Sequence, residues 1–279
     1  MTPQPPELGA VLDHVCLRSE QPDKLAGFFE HAYGLTRQAV PGGWQCTAPD
    51  RTLLVESGRA NTVAYFAYAF GSARQLQAHR RGLTAKSLAP QPSPSPLFDS
   101  SACALTDPDG NLVTFGVRPR SSNEAEEKLP ARLQHLALRT PDVAAMAAFY
   151  ESLGFVVSDR VQCEEGILRA CFLRTDSEHH ALALFRASDA RFDHLSCETR
   201  DTAAVIAWAD RMASHDIPLH WGIGRHGPGN DVFFMVKDPD GNLLEISSDL
   251  EVCETGRPAG TWRHEQRTLN LWGNAIMRS

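Results

Sequence analysis

Three side chains in the second half of the chain could hold a metal ion together: His135, His194 and Glu245. Each interrupts an apolar run, in LQHLALR, FDHLSCE and NLLEISS. Side chains alternate faces along a strand with a period of two. Leu136 and Leu138 then point away from His135, Leu195 and Cys197 from His194, and Leu244 and Ile246 from Glu245. A carboxylate among such neighbours is costly to bury unless something cationic pairs with it. If the three strands share one sheet, two imidazoles and one acid converge on a single face. That is the facial triad of a non-haem Fe(II) centre, which leaves coordination positions open for substrate and dioxygen. Mn(II) and Zn(II) accept similar ligands, so the residues specify the site better than the ion.

The elements that must position this triad can be read from the same sequence. In 224–250, GRHGPGNDVFFMVKDPDGNLLEISSDL, two apolar runs flank Asp238-Pro239-Asp240-Gly241-Asn242. Pro presets φ and Gly accepts the left-handed conformation, so the stretch predicts a β-hairpin that carries Glu245. An internal repeat organises the rest. LDHVCLRSEQPDKLAGFFEHAYGL (12–35) aligns with LQHLALRTPDVAAMAAFYESLGF (133–155), and TDPDGNLVTFG (106–116) with KDPDGNLLEIS (237–247). Helix stripes follow at Met146, Phe149, Tyr150 and Leu153, at Leu25, Phe28, Phe29 and Ala32, and at Val205, Trp208, Ala209 and Met212. A fourth stripe after Gly71 is weaker. The pattern predicts an α+β protein of two tandem domains, each made of two βαβββ units that form a curved mixed sheet around a concave pocket. The expected boundaries are 1–118 for a half without metal, 119–130 for a linker and 131–250 for the metal-binding half. The remainder, 251–279, is a tail. LAPQPSPSPLFDSS (88–101), rich in Pro and Ser, is expected to be a surface loop.

The first half acts as an internal control. By repeat alignment Tyr65 stands in place of His194 and Thr114 in place of Glu245, and only His14 persists. Neither substitute suits a divalent metal, so the first half is expected to keep the scaffold without the ion. Composition narrows the class further. Across 279 residues the net charge is -7 with no basic cluster, which argues against a nucleic-acid partner. No apolar run approaches the ~18 residues of a membrane span. The N-terminal MTPQPPELGA lacks the basic and apolar regions of a signal peptide. Seven scattered cysteines contain no CxxC pair, so buried thiols in a reducing cytoplasm are expected.

These motifs resemble the two-domain type I extradiol ring-cleavage dioxygenases of the vicinal oxygen chelate superfamily, which also holds glyoxalase I and bleomycin-resistance proteins. The extradiol signature reads here as Gly224-Arg225-His226, Phe234-Met235, Asp238-Pro239-Asp240-Gly241 and Glu245. The resemblance implies that His135, His194 and Glu245 bind Fe(II), with Mn(II) as the other candidate. It also implies that a small aromatic diol and O2 are the reactants and that the protein is a homo-oligomer. His180, in SEHHALALF (177–185), matches the acid–base histidine, and an imidazole can take and return a proton near neutral pH. His226 matches the histidine that hydrogen-bonds bound substrate and oxygen. Met235 stands where the family has a tyrosine that contacts the substrate hydroxyl, and a thioether cannot donate a hydrogen bond. The tail is implied to fold back over the site.

Each residue also has a structural reading. His135 could be a hydrogen-bonded core histidine like His14, His180 and His179 an exposed turn pair, His226 a turn cap and Met235 core filling. His31, His79, His179, His215, His220 and His264 are expected to be surface or structural, and Arg18 and Arg139 to form ion pairs. Two other functions fit the repeat: a glyoxalase-like isomerase or epimerase, which would need a fourth protein ligand, and a metal-free drug-sequestering module.

Overall fold

The computed structural model describes residues 8–118 and 127–277, so all but the last four residues of the expected linker lie outside it. Four successive modules repeat one order of strand, helix and three strands. The first has β1 (Ala10–Ser19), α1 (Pro22–Tyr33), β2 (Thr36–Val40), β3 (Gly43–Ala48) and β4 (Arg51–Ser57). The second has β5 (Thr62–Phe70), α2 (Ala73–Ala85), β6 (Gln91–Pro92), β7 (Cys103–Thr106) and β8 (Leu112–Gly116). The third has β9 (Arg132–Thr140), α3 (Val143–Leu153), β10 (Val156–Gln162), β11 (Leu168–Arg174) and β12 (Leu182–Arg186). The fourth has β13 (Arg191–Glu198), α4 (Thr202–Ser214), β14 (Trp221–Arg225), β15 (Val232–Lys237) and β16 (Leu243–Ser248). The tail adds β17 (Gly260–Arg263) and a single turn, α5 (Gln266–Leu269).

Modules pair into two mixed sheets of the same connectivity. The first runs β2-β3-β4-β1-β5-β8-β7-β6, and the second β14-β15-β16-β13-β9-β12-β11-β10-β17, where the tail strand extends one edge. Helix ends follow local chemistry. Asp142 accepts hydrogen bonds from Ala144 and Ala145 N–H at the start of α3, and Asp201 from Ala204 N–H at the start of α4. Gly154 ends α3 in the left-handed conformation at φ 104°, which an L side chain would resist.

The sheet faces turned away from His14 and His135 share one apolar core that draws on both halves. Tyr33 of α1 lies against Trp208 of α4 with ring centres 5.7 Å apart, and Tyr68 meets Phe155 edge-on at 5.2 Å. Two buried hydroxyls are satisfied across the same boundary. Tyr68 donates to Ala181 O at 3.0 Å and Tyr150 to Asp107 Oδ2 at 2.9 Å. All seven cysteines are free thiols, and all but Cys163 are buried. No helix among the described residues is long and apolar enough to cross a membrane.

The segment 88–101 departs from expectation. It is more than a surface loop: Ser95 and Phe98 are buried, because they fill the inner face of the first sheet. Ser95 Oγ lies 2.7 Å from His14 Nε2, and Phe98 packs edge-on against the imidazole at 4.9 Å. Gly116 makes room for this plug, since a Cβ there would run into the Phe98 ring. The inner face of the first half is thus filled by its own chain.

The shared core predicts strong coupling between the halves. Trp208→Ala removes a fully buried indole from their contact and is expected to cost about 3–5 kcal/mol in urea unfolding. A loss below about 1 kcal/mol would show that the halves do not depend on this contact.

Candidate metal centre

Strands β16, β13 and β9 are neighbours in the second sheet, and their register sets the triad. Ser196, on the central strand, pairs with His135 on one side and Glu245 on the other. His194 lies two residues from Ser196 on that strand and therefore faces the same way. Because Ser196 is small, it leaves space between its flanking ligands. His135 Nε2 and His194 Nε2 come within 3.1 Å, and Glu245 Oε1 lies 3.6 Å from His135 Nε2. All three side chains are buried.

The first-half equivalents obey the same register, with His14 opposite Ala67 and Ala67 opposite Thr114. Tyr65 holds the position of His194. Their environment differs in one decisive way. His14 Nε2 is answered by a hydroxyl, whereas His135 Nε2 and His194 Nε2 face each other.

Whether a cation fits can be tested on the hydrogen bonds. His135 Nδ1 is bonded to Gln134 Oε1, and His194 Nδ1 to Asp193 Oδ1 at 2.6 Å. Both partners accept, so each Nδ1 carries a hydrogen, which leaves Nε2 of each ring as the atom that can offer a lone pair toward the same point. Burial pushes the His135 pKa down to about 3, which keeps that ring neutral. Glu245 Oε1 is buried and has no hydrogen-bond partner. Burial alone would raise the Glu245 pKa, but the hydrogen bond from His226 and the facing imidazoles outweigh it and hold it below the usual carboxylate range. Two cis nitrogens bound at ~2.1 Å to one ion would sit about 3 Å apart, as these do. The donor set fits a divalent metal.

A narrow pocket opens beside the triad, lined by Phe172, Phe185, Trp221, Pro228, Met235 and the tail residues Thr268 and Leu269. His180 and His226 reach it from opposite sides. His180 is buried, with its ring 4.3 Å from that of His135 and 5.1 Å from Phe172. It is therefore not part of an exposed turn pair, and neither is His179, which is completely buried. Burial lowers the His180 pKa well below its ordinary value. His226 stacks on Phe233 at 3.7 Å, donates from Nδ1 to Leu269 O at 2.6 Å, and has Nε2 3.4 Å from Glu245 Oε2. Burial alone would lower its pKa, but the Asp231 charge and the Glu245 hydrogen bond raise it. Met235 is fully buried, and it both lines the pocket and packs with Trp221, Phe233 and Leu243.

Several residues that are not themselves triad ligands support the site. Gln134 accepts from His135 Nδ1 and donates to His180 O at 2.7 Å, so it ties a triad ligand to the segment of His180. Asp193 holds His194 and is itself held by Arg139, so the ion pair expected of Arg139 supports the centre. Asp231 is buried with both carboxylate oxygens unpartnered, and it groups with His226 and Glu245. One signal was present in the sequence: a polar residue directly precedes each repeat-related histidine, in Asp13-His14, Gln134-His135 and Asp193-His194.

Comparison with known proteins agrees with this geometry. The family model described as the Glyoxalase/Bleomycin resistance protein/Dioxygenase superfamily matches residues 132–246, a span that contains the whole triad. Metapyrocatechase 2 of Cupriavidus necator is 30% identical, over 94% of this chain and 88% of its own. The chain belongs to the type I extradiol dioxygenases of that superfamily. Among solved structures, homoprotocatechuate 2,3-dioxygenase from Arthrobacter globiformis superposes with a TM-score of 0.82 at 22% identity, covering 99% of this chain and 92% of that one. The enzyme from Brevibacterium fuscum, in an anaerobic complex with 3,4-dihydroxyphenylacetate, gives 0.82 at 20% over the same shares. In this extradiol dioxygenase the fold and family are therefore fixed independently of the metal argument.

Asp193 offers a test of the centre. Asp193→Asn keeps the shape but removes the charge that orients His194, and it is expected to weaken Fe(II) binding about 10–100-fold in anaerobic titration. An unchanged affinity would mean that His194 is not held for a metal.

Proposed function

We propose that the protein is an Fe(II)-dependent dioxygenase that opens a catecholic ring beside its two hydroxyl-bearing carbons and adds both atoms of O2. The convergence of two Nε2 lone pairs and an unpartnered carboxylate oxygen on the edge of an aromatic pocket carries this reading. His135, His194 and Glu245 would hold the ion. Once bound, it would supply a site where a vicinal diol and dioxygen are held side by side and where the diol hydroxyl becomes more acidic.

The remaining chemistry falls to the protein's own side chains. His180, kept neutral by burial, accepts the proton of a substrate hydroxyl and later returns it. His226, opposite, donates a hydrogen bond to oxygen that gains charge, and its backing by Asp231 and Glu245 favours that donor form. Phe172, Phe185 and Trp221 enclose the ring and exclude water. The tail, through Leu269 O and Thr268, closes the open side and aims His226. Met235 donates no hydrogen bond to the substrate, so orientation rests on the metal and the two histidines.

Pocket composition also restricts the substrate. Among the described residues no Lys or Arg lines the pocket, so a ring substituent carrying a carboxylate finds no permanent counter-charge and is costly to bury. Uncharged catechols, bare or with a small alkyl or halogen substituent, fit the aromatic walls. With anaerobically Fe(II)-loaded protein in an oxygen electrode, catechol and methylcatechols are expected to give kcat/KM values at least ~10-fold above that of 3,4-dihydroxyphenylacetate. Absence of oxygen uptake with every vicinal diol tested would refute the function. Uptake that favours the carboxylated diol would refute only the specificity.

A further inference from the structure

His180 does not stand alone. Behind it lies His179, completely buried, and behind that Asp159, 1% exposed. His179 Nδ1 is 3.0 Å from His180 Nδ1, and His179 Nε2 is 3.0 Å from Asp159 Oδ2. We propose that His179 and Asp159 are positioning residues that decide which nitrogen of His180 faces the pocket. The inference rests on the reading of His180 as the base of a catechol-cleaving site.

The argument is one of tautomers. The contact of His179 Nε2 with Asp159 Oδ2 is an ion-pair approach and not an aligned hydrogen bond. A lone pair on that nitrogen 3.0 Å from a carboxylate oxygen is still repulsive, so in the neutral ring it carries the hydrogen. His179 Nδ1 is then an acceptor. Two acceptors facing each other at 3.0 Å repel, and nothing fits between atoms that close, so His180 Nδ1 carries the hydrogen and donates it. That leaves the lone pair on His180 Nε2, the nitrogen free to take a proton from a substrate. Without the chain behind it, either nitrogen of His180 could carry the hydrogen, and one of the two forms cannot act as a base toward the pocket.

The far end of this chain is clamped by the tail. Asp159 Oδ1 accepts from Gly260 N at 3.0 Å and from both terminal nitrogens of Arg257 at 3.2 Å. Trp262 Nε1 donates to Oδ2 at 2.7 Å. Strand β17 lies parallel to β10 with Gly260 opposite Asp159, and a Cβ on Gly260 would run into Oδ1. Burial by itself would raise the Asp159 pKa, but His179, Trp262 and Arg257 hold it down as a carboxylate. The tail thus reaches the site twice, from above through Leu269 and from behind through Asp159.

Two variants and two readouts test this. His179→Leu removes the acceptor, while His179→Asn keeps an oxygen near the place of Nδ1. In the metal-free protein, imidazole 15N shifts are expected to report His180 protonated at Nδ1 in wild type and His179→Asn, and at Nε2 in His179→Leu. With Fe(II) and catechol, His179→Leu is expected to lose about 10²-fold in kcat with KM changed less than ~2-fold, and His179→Asn to recover most of it. Should His179→Leu not fold, Asp159→Asn, which replaces the carboxylate oxygen beside His179 Nε2 with an amide that can donate there and so invert that ring's tautomer, is expected to move both readouts in the same direction. An Nε2-protonated His180 in wild type, or full kcat in a folded His179→Leu protein, would overturn the proposal. If wild type fails to consume oxygen with any diol, the dioxygenase reading falls, and the 15N shifts still judge the positioning chain by themselves.

Discussion

Two imidazole nitrogens turned toward each other across 3.1 Å, with a buried carboxylate beside them, cannot be satisfied by the protein alone. The Nδ1 hydrogens are already committed to Gln134 and Asp193, so the Nε2 atoms have no hydrogens to share while both rings are neutral. An apolar protein interior does not tolerate such a cluster of electron pairs unless a cation completes it. The surrounding structure follows from this need. The core on the far face of β9, β13 and β16 fixes the strands, and the residues preceding the histidines fix the rings.

The duplicated scaffold shows what happens when the need is removed. In the first half the same sheet positions carry His14, Tyr65 and Thr114, and the space a ligand would use is taken by Ser95 and Phe98. One imidazole answered by one hydroxyl is an ordinary buried hydrogen bond, and it packs tightly under a Pro-rich segment. The two halves then share their outer faces as one core. The first half thereby buttresses the strands that position the triad.

His135, His194 and Glu245 sit on the sheet floor, His180 and His226 flank the opening, and aromatic side chains form the walls. The tail binds this arrangement together, because Leu269 holds His226 while Arg257, Gly260 and Trp262 hold Asp159 behind His179 and His180. Residues distant in sequence therefore control the orientation of both histidines that would meet a substrate.

Much of this was legible in the sequence, and for identifiable reasons. Strand periodicity, helix stripes and the DPDGN turns are local properties, so the four-module order and the face on which His135, His194 and Glu245 lie could be read directly. Repeat alignment supplied the first half as a control, because duplicated strands keep their register. Pairing partners between distant segments are not local. The plug of Ser95 and Phe98, the burial of His179, the support of Gln134 and Asp193, and the clamp on Asp159 depend on which chains meet, and no periodicity records that. Residue types and their alternation determined which side chains could bind a metal. Only the tertiary structure decided which way each ring points, because a ring's tautomer and orientation are set by neighbours that the chain brings back from elsewhere.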